Sequence, residues 1–358
     1  MIALVRLFFK LIQPFTICSS SSTKSCFTYT ECMHIPGLHH ITAISGGPQQ
    51  NYDFYAGIMG LRLVKRTVNF DDPQTWHLYY GDEAGSPGTL LTFFPFENAS
   101  PGGAGTGMAS RIGFAVPEES FSWWVDRISD RVERFDPPAE RFGSPVITFQ
   151  DPDGLLLEIM PLPGVSQLPG WSHGDIPQEH SIRCFANATL LLDDGADTAK
   201  LLQVMGYEPL EKDGVFQRFA VKGAPGGSDG SPGDGHPVPA PFVDLHIQKT
   251  TVGRMGSGTI HHVAFRAENE EGQLKWREAL VKAGLSPTQV VDRQYFKSIY
   301  FHEPGGVLFE LATDPPGMLI DEDKVSLGTG IKLPPWFEEN RQWIEERLPE
   351  LKTKPQTY

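Results

Sequence analysis

Apolar residues in this chain come in strand-length runs closed by turn residues, with helical patterns between them. Two stretches repeat each other: "FQDPDGLLLEIM" from Phe149 and "FHEPGGVLFELA" from Phe301. In each, a strand ends in an acidic residue and Pro, turns through Gly and resumes as an apolar strand with a glutamate, Glu158 or Glu310. That is the chemistry of two paired strands joined by a tight turn. A second repeat, "IMGLRLVKR" from Ile58 and "VMGYEPLEK" from Val204, predicts a helix closed by Gly60 or Gly206 and followed by a strand.

These repeats divide the chain into four modules, each a strand, a helix and several strands, beginning near Leu38, Ala109, Ile182 and Ile260. The expected fold is α+β, with four βαβββ modules paired into two curved mixed sheets around a cavity. Modules one and two are expected to form a first domain over 33–165, and modules three and four a second over 178–315. The segment 222–241, "KGAPGGSDGSPGDGHPVPAP", has no periodicity and reads as a mobile loop. Past Pro315 the chain leaves the repeat, and "PPWFEENRQWIEERLPEL" predicts an amphipathic helix within a C-terminal extension over 316–358.

Charge and cysteine usage narrow the function. The 44 Asp plus Glu outnumber the 30 Lys plus Arg for a formal charge of -14, without a basic patch, which argues against nucleic acid as a partner. Cys18, Cys26, Cys32 and Cys184 have no metal-type spacing, so a reducing compartment fits. Residues 1–32 differ from the rest: "MIALVRLFFKLIQPF" is too short and too charged for a membrane span. The segment is compatible with a presequence or with a disordered leader. The expected location is cytoplasmic, or mitochondrial if the leader is a presequence; a homo-oligomer is compatible with the sequence.

The histidines carry the candidate chemistry. "LHHIT" from Leu38 opens module one and "TIHHVAF" from Thr259 opens module four, each a His-His pair in an apolar strand. The other modules act as internal controls. Module two has Ser110 and Arg111 where module four has His261 and His262, and module three has "FANAT", with Ala186 or Asn187 opposite His40. Histidines serving only a strand would not be confined to two modules of a duplicated scaffold. Neighbours on a strand point to opposite faces, so one histidine of each pair is expected to be a ligand, joined by Glu310. Two imidazoles and a carboxylate suit non-haem Fe(II), with Mn(II) as the nearest substitute, and no convincing fourth ligand for a closed zinc site stands out.

The segments "GLHHIT", "WHLYYGDEAGSPGTLLTFFPF", "IHHVAF", "DRQYFKSIYFHEPGGVLFELAT" and "IDEDKVSLG" together resemble the vicinal oxygen chelate superfamily, and within it the ring-cleaving dioxygenases of the hydroquinone dioxygenase type. The resemblance runs from about Leu38 to about Pro335 and departs from the family in the leader and the 222–241 loop. It implies metal ligands at His40, His262 and Glu310, and catalytic neighbours at His39, Thr42, His261, Arg293 and Tyr300. It also implies a hydroquinone- or catechol-type aromatic and O2 as substrates, and a ring-opened product. Strand alternation would put His39 and His261 on the far side of their strands. Two rival functions share the fold: a glyoxalase-like isomerase or lyase, with a fourth ligand, and a non-catalytic protein that sequesters an aromatic or quinone. Trp123 and Trp124 read as packing residues, His77 lies in a strand beside Trp76 and could line the cavity, and His180, His236 and His246 lack a partner pattern.

Overall fold

The computed structural model describes residues 34–354 apart from 173 and 226–237. The expected leader over 1–32 and most of the expected loop over 222–241 lie outside the described residues. All four modules are present. The first is β1 (Leu38–Ser45), α1 (Pro48–Tyr52, running on as a wider π turn to Ile58), β2 (Arg62–Asn69), β3 (Asp72–Gly81) and β4 (Leu90–Pro95). The second is β5 (Met108–Val116), α2 (Phe121–Arg131), β6 (Ala139–Arg141), β7 (Ser144–Gln150) and β8 (Leu156–Pro161). The third is β9 (Cys184–Leu192), α3 (Ala196–Val204), β10 (Tyr207–Asp213), β11 (Phe216–Val221) and β12 (Phe242–Ile247). The fourth is β13 (Thr259–Ala267), α4 (Glu270–Lys282), β14 (Val291–Asp292), β15 (Phe296–His302) and β16 (Leu308–Pro316).

The repeated local motifs do what their chemistry requires. Gly60 and Gly206 close their helices at φ +67° and +93°, a left-handed conformation that a side chain disfavours. In the β7–β8 turn, Asp151 Oδ1 accepts from the Asp153 and Leu155 amides at 2.9 and 2.8 Å. In the β15–β16 turn, Glu303 Oε1 accepts from the Val307 amide at 2.9 Å. The second oxygen of each carboxylate ties its hairpin to the module before it, Asp151 to Tyr55 Oη at 2.9 Å and Glu303 to Thr198 Oγ1 at 2.6 Å. The acidic residue shared by both hairpins is therefore a fold element, with one oxygen for the turn and one for the neighbouring module.

Among the described residues sixteen strands form two curved sheets of eight, ordered β14-β15-β16-β13-β1-β4-β3-β2 and β10-β11-β12-β9-β5-β8-β7-β6. Module one shares a sheet with module four through antiparallel β1 and β13, and module two with module three through antiparallel β5 and β9. The sequence halves 33–165 and 178–315 therefore each supply one module to each sheet. A large apolar cluster runs through both sheets and the inner faces of α2, α3 and α4, including Trp124, Ile128, Leu202, Trp276 and Leu280. Trp124 is fully buried in it and donates its indole N–H to the His180 carbonyl at 2.8 Å, the packing role expected of it.

The C-terminal helix is shorter than its amphipathic pattern predicts. A 3-10 stretch, Pro335–Asn340, leads into α5 (Arg341–Glu345), which buries Ile344. Pro334, Pro335 and Pro349 bracket the segment and limit its length. The "IDEDKVSLG" segment returns to the first sheet, where Asp321 and Glu322 both accept from the fully buried Lys65 ammonium of β2. No helix among the described residues is long and apolar enough to cross a membrane.

Helix α4 begins at Asn269, whose Oδ1 accepts from the Gly272 amide at 2.9 Å. Asn269→Ala is expected to lower stability by about 1 kcal/mol, the usual worth of such a cap, read as a shifted midpoint in urea unfolding at unchanged slope.

Candidate metal centre

The antiparallel β1–β13 seam places His40 and His262 on the inner face of the first sheet, and β16, parallel to β13, adds Glu310. His40 Nε2 lies 3.2 Å from His262 Nε2 and 3.4 Å from Glu310 Oε2, and His262 Nε2 lies 2.9 Å from the same oxygen. All three side chains are buried. Ligand atoms about 2.1 Å from one ion in neighbouring positions stand about 3 Å apart, so these spacings fit a shared metal. Glu310 Oε1 accepts from the Ser298 hydroxyl, whereas Oε2 is buried with no hydrogen-bond donor of its own. A buried carboxylate oxygen facing two imidazole nitrogens is a donor set for a cation. No fourth His, Cys, Asp or Glu among the described residues joins the cluster.

The structure corrects the expectation that the other histidine of each pair faces away. Leu38 pairs with Phe265 and His40 with Ala264, so β1 carries an extra residue at His39. Thr42 pairs with His262 and Ala43 with Ile260, so β13 carries one at His261. These reciprocal β-bulges break the alternation that an ideal pleat would impose. As a result His39 Nδ1 lies 2.9 Å from His40 Nδ1, and His261 Nδ1 lies 2.8 Å from His262 Nδ1. A neutral imidazole that offers Nε2 to a metal carries its proton on Nδ1, so His40 and His262 donate and their neighbours accept. Burial, and next the adjacent histidine, hold His39 well below the usual imidazole range and His261 at about 3, which keeps both neutral acceptors.

Electrostatics favour the metal-ready state. Burial alone would raise the Glu310 carboxyl, but His40 and His262 outweigh it and hold it well below the usual carboxylate range. Burial lowers His262, and the attraction of Glu310 only partly offsets this. Glu310 is thus held as a carboxylate facing the two imidazole nitrogens.

Around the buried trio stands a rim of partly exposed side chains: His77, Phe94, His261, Arg293 and Tyr300. The Tyr300 ring lies 5.7 Å from that of His262. Arg293 donates Nε to Tyr300 Oη at 3.1 Å and Nη1 to Asp71 Oδ2 at 3.0 Å. Because Asp71 sits at the β2–β3 turn and Arg293 beside β14, this ion pair joins opposite ends of the sheet. Burial opposes the Arg293 charge, but Tyr300 and Asp71 keep the guanidinium charged. Burial and then Glu310 raise Tyr300 above its ordinary value, so it keeps its proton. Thr42 follows His40 on the same face. The eight expected site residues are thus gathered on one face of one sheet. His77, which the sequence offered as a cavity-lining alternative, also lies on this face, alternating with Tyr79 along "WHLYYG".

The second sheet repeats the geometry with different chemistry. Bulges fall at Ser110 of β5 and Ala186 of β9, which sets Arg111 against His262 and Asn187 against His40 and resolves the register left open by the sequence. Glu158 takes the place of Glu310, pairing with Thr148 as Glu310 pairs with Tyr300. Arg111 Nη1 and Arg141 Nη1 donate to its two oxygens at 2.9 and 2.7 Å. Deeper still, Arg218 donates twice to Asp244 at 2.8 Å, and Asn187 Nδ2 donates to it at 2.7 Å. Guanidinium groups thus neutralise there the carboxylate whose counterpart in the first sheet faces two imidazole nitrogens.

Curved βαβββ sheets with a two-histidine, one-carboxylate centre on one inner face define the class. The chain belongs to the Glyoxalase/Bleomycin resistance protein/Dioxygenase superfamily, whose family model matches residues 37–159 and 202–311. Within it the chain is 42% identical over 316 residues to "Putative ring-cleaving dioxygenase MhqO" of Bacillus subtilis, covering 87% of this chain and 95% of that protein. It is 32% identical over 314 residues to the chlorohydroquinone/hydroquinone 1,2-dioxygenase of Sphingobium indicum, covering 85% and 93%. A Bacillus subtilis crystal structure titled as a putative dioxygenase superposes with a TM-score of 0.83 at 40% identity, covering 91% of this chain and all of that one. Glyoxalase I of Zea mays, at 14% identity and a TM-score of 0.54 over 78% of this chain and 92% of that one, shares the fold. These relatives place the chain with the dioxygenases of the superfamily.

Proposed function

We propose that this protein is a non-haem Fe(II) dioxygenase that opens the ring of a hydroquinone-type aromatic, with His40, His262 and Glu310 as the metal ligands. The observation that carries the reading is the convergence of two imidazole Nε2 atoms on a carboxylate oxygen that has no other donor. When bound, Fe(II), with Mn(II) as the nearest substitute, supplies Lewis acidity toward a phenolic oxygen and a one-electron route to O2. The relatives named for ring cleavage, and one named for hydroquinones, support the choice of substrate over other aromatics, with catechol-type rings as the closest competitor.

The residues divide the remaining work. Arg293, charged at any working pH, binds an oxyanion on the ring or on oxygen. Tyr300, protonated and hydrogen-bonded to Arg293, holds a proton at Oη for the oxygen atom that becomes basic as the O–O bond breaks. His39 and His261 orient the ligand rings through their Nδ1 contacts. Thr42 presents a hydroxyl beside His40, and Phe94 gives the approach an aromatic wall. In a 1,4-diol every ring bond at a hydroxylated carbon leads to a carbon without oxygen, so cleavage there is of the extradiol kind. Both atoms of O2 enter the ring-opened semialdehyde acid, and no external reductant is consumed.

The test is oxygen uptake by anaerobically purified, Fe(II)-loaded protein given hydroquinone, methylhydroquinone or catechol. The expected result is one O2 consumed per hydroquinone with loss of the aromatic absorbance, faster than with catechol, and none from the Zn(II)-loaded protein. Iron-loaded protein that takes up no oxygen with any quinol would sink the reading.

A further inference from the structure

A row of four polar side chains crosses the inner face of the first sheet, and none of the roles above uses it as a unit. Tyr79 Oη lies 2.9 Å from His77 Nδ1, His77 Nε2 lies 3.0 Å from Thr92 Oγ1, and Thr92 Oγ1 lies 2.7 Å from Thr42 Oγ1. Strand alternation builds the row: His77 and Tyr79 are two apart on β3, Thr92 faces Tyr79 across β3–β4, and Thr42 faces Thr92 across β1–β4. Thr42 is in turn the register partner of His262 across the β1–β13 seam. The row therefore starts in the wall of the sheet and ends beside the candidate ligands. The His77 ring is held between the rings of Tyr79 at 4.1 Å and Phe94 at 4.4 Å, which fixes its plane.

The direction of the row is set at its far end. Tyr79 is buried, and among the described residues its hydroxyl has one hydrogen-bond partner, His77 Nδ1. A buried O–H that donates to nothing is costly, so Tyr79 donates and Nδ1 is the bare nitrogen. Burial lowers His77 well below the usual imidazole range, so the ring is neutral and its one proton sits on Nε2. Nε2–H then donates to Thr92, and the fully buried Thr92 hydroxyl, whose other partner among the described residues is Thr42, donates to it. Thr42 Oγ1 is left accepting from behind, with its own proton free to point into the site. Reversing the His77 tautomer would leave the Tyr79 proton unpaired in the wall, and reversing the Thr92–Thr42 link would leave that of Thr92 unpaired.

We propose that His77 is a positioning residue which, through Thr92, holds Thr42 as a hydrogen-bond donor aimed at a negatively charged oxygen of the bound aromatic. The consequence is selectivity for the ionised form: a phenolate oxygen accepts from Thr42 in a charge-assisted hydrogen bond, stronger than the one the less basic oxygen of a neutral phenol accepts. This rests on reading the face as the substrate site, but the orientation of the row does not depend on which reaction occurs there.

The first arm of the test reads the row without turnover. In protein labelled with 15N-histidine and loaded with diamagnetic Zn(II), the His77 signals are those absent from His77→Gln. The expected pattern is an unprotonated Nδ1 and a protonated Nε2, shifting toward a mixture in Tyr79→Phe, which removes the far donor and leaves every hydroxyl near the metal in place. A protonated Nδ1 in the parent protein would overturn the proposal. The second arm follows 4-nitrophenol binding to the same Zn(II) protein by absorbance. The parent is expected to bind the yellow phenolate, about tenfold more tightly than Tyr79→Phe and Thr92→Val, with Thr92→Ser restoring it. Equal affinity in all four, or no rescue by serine, would also overturn it. If both arms succeed while the iron enzyme consumes no oxygen with quinols, the dioxygenase reading fails and the positioning role stands.

Discussion

Glu310→Gln is expected to leave the fold standing while removing the metal and the activity together. The side chain keeps its shape, its carbonyl oxygen can still accept from Ser298, and its amide can donate to the imidazole nitrogens that the carboxylate oxygen now faces. The metal-free variant should therefore melt at or above the temperature of the metal-free parent. What disappears is the negative charge that balances a divalent ion in a site with little water. Losing an ionic ligand worth roughly 4 kcal/mol corresponds to about a thousandfold in metal affinity, and turnover should fall at least as far. The check is threefold: metal content after gel filtration, the rise in melting temperature on adding Fe(II) or Zn(II), and oxygen uptake. The parent should gain stability with metal by mass action and the variant should not. A variant that retains iron stoichiometrically would remove Glu310 from the ligand set.

The second large effect is expected in the other sheet and in stability alone. Asp244 is fully buried, and Arg218 supplies two of its hydrogen bonds, with Asn187 a third. Arg218→Met leaves that carboxylate with a single amide donor. Breaking one side of a buried pair costs about 3–5 kcal/mol, and for a domain of this size the melting temperature should fall by roughly 6–15 °C. Metal affinity should not change, because the ligands lie in the first sheet. The double variant Arg218→Met, Asp244→Leu should recover most of the loss, since the stranded charge, rather than the missing attraction, is what destabilises. A single variant that melts like the parent would show that water reaches Asp244 and that the guanidinium cluster is not a structural substitute for metal.

Together these outcomes describe a duplicated scaffold in which one inner face needs a cation from outside and the other carries its own. Both faces hold a buried glutamate on the closing strand of a hairpin, Glu310 and Glu158. Around Glu158 the histidine position is taken by Arg111, and Arg141 adds a second guanidinium. The duplicated fold thus has two ways of neutralising the same buried carboxylate. Only the face without those guanidinium groups has histidines beside its glutamate.

Much of this was legible in the residues because its causes are local. The hairpin turns, the glycine-closed helices and the strand–helix–strand order of each module depend on turn chemistry and periodicity within about ten residues. The confinement of the His-His pairs to modules one and four, beside a glutamate common to two modules, was likewise visible by comparing the copies, and it separated candidate chemistry from scaffold. What required the tertiary structure was everything that depends on which strands meet. That module one pairs with module four follows from how the faces of sixteen strands can be buried at once, and no short window contains that information. The reciprocal bulges at His39 and His261 were hidden because period-two reasoning assumes an unbroken pleat, while a bulge inserts one residue without changing the local apolar pattern. The Tyr79–His77–Thr92–Thr42 row was hidden for the same reason: it joins three strands through lateral neighbours, and its direction is decided by a buried hydroxyl whose partner among the described residues is His77. The modules and the candidate histidines and glutamate could be read along the chain; which strands bring them together could not, because hydrogen bonds between strands are satisfied sideways, not along the chain.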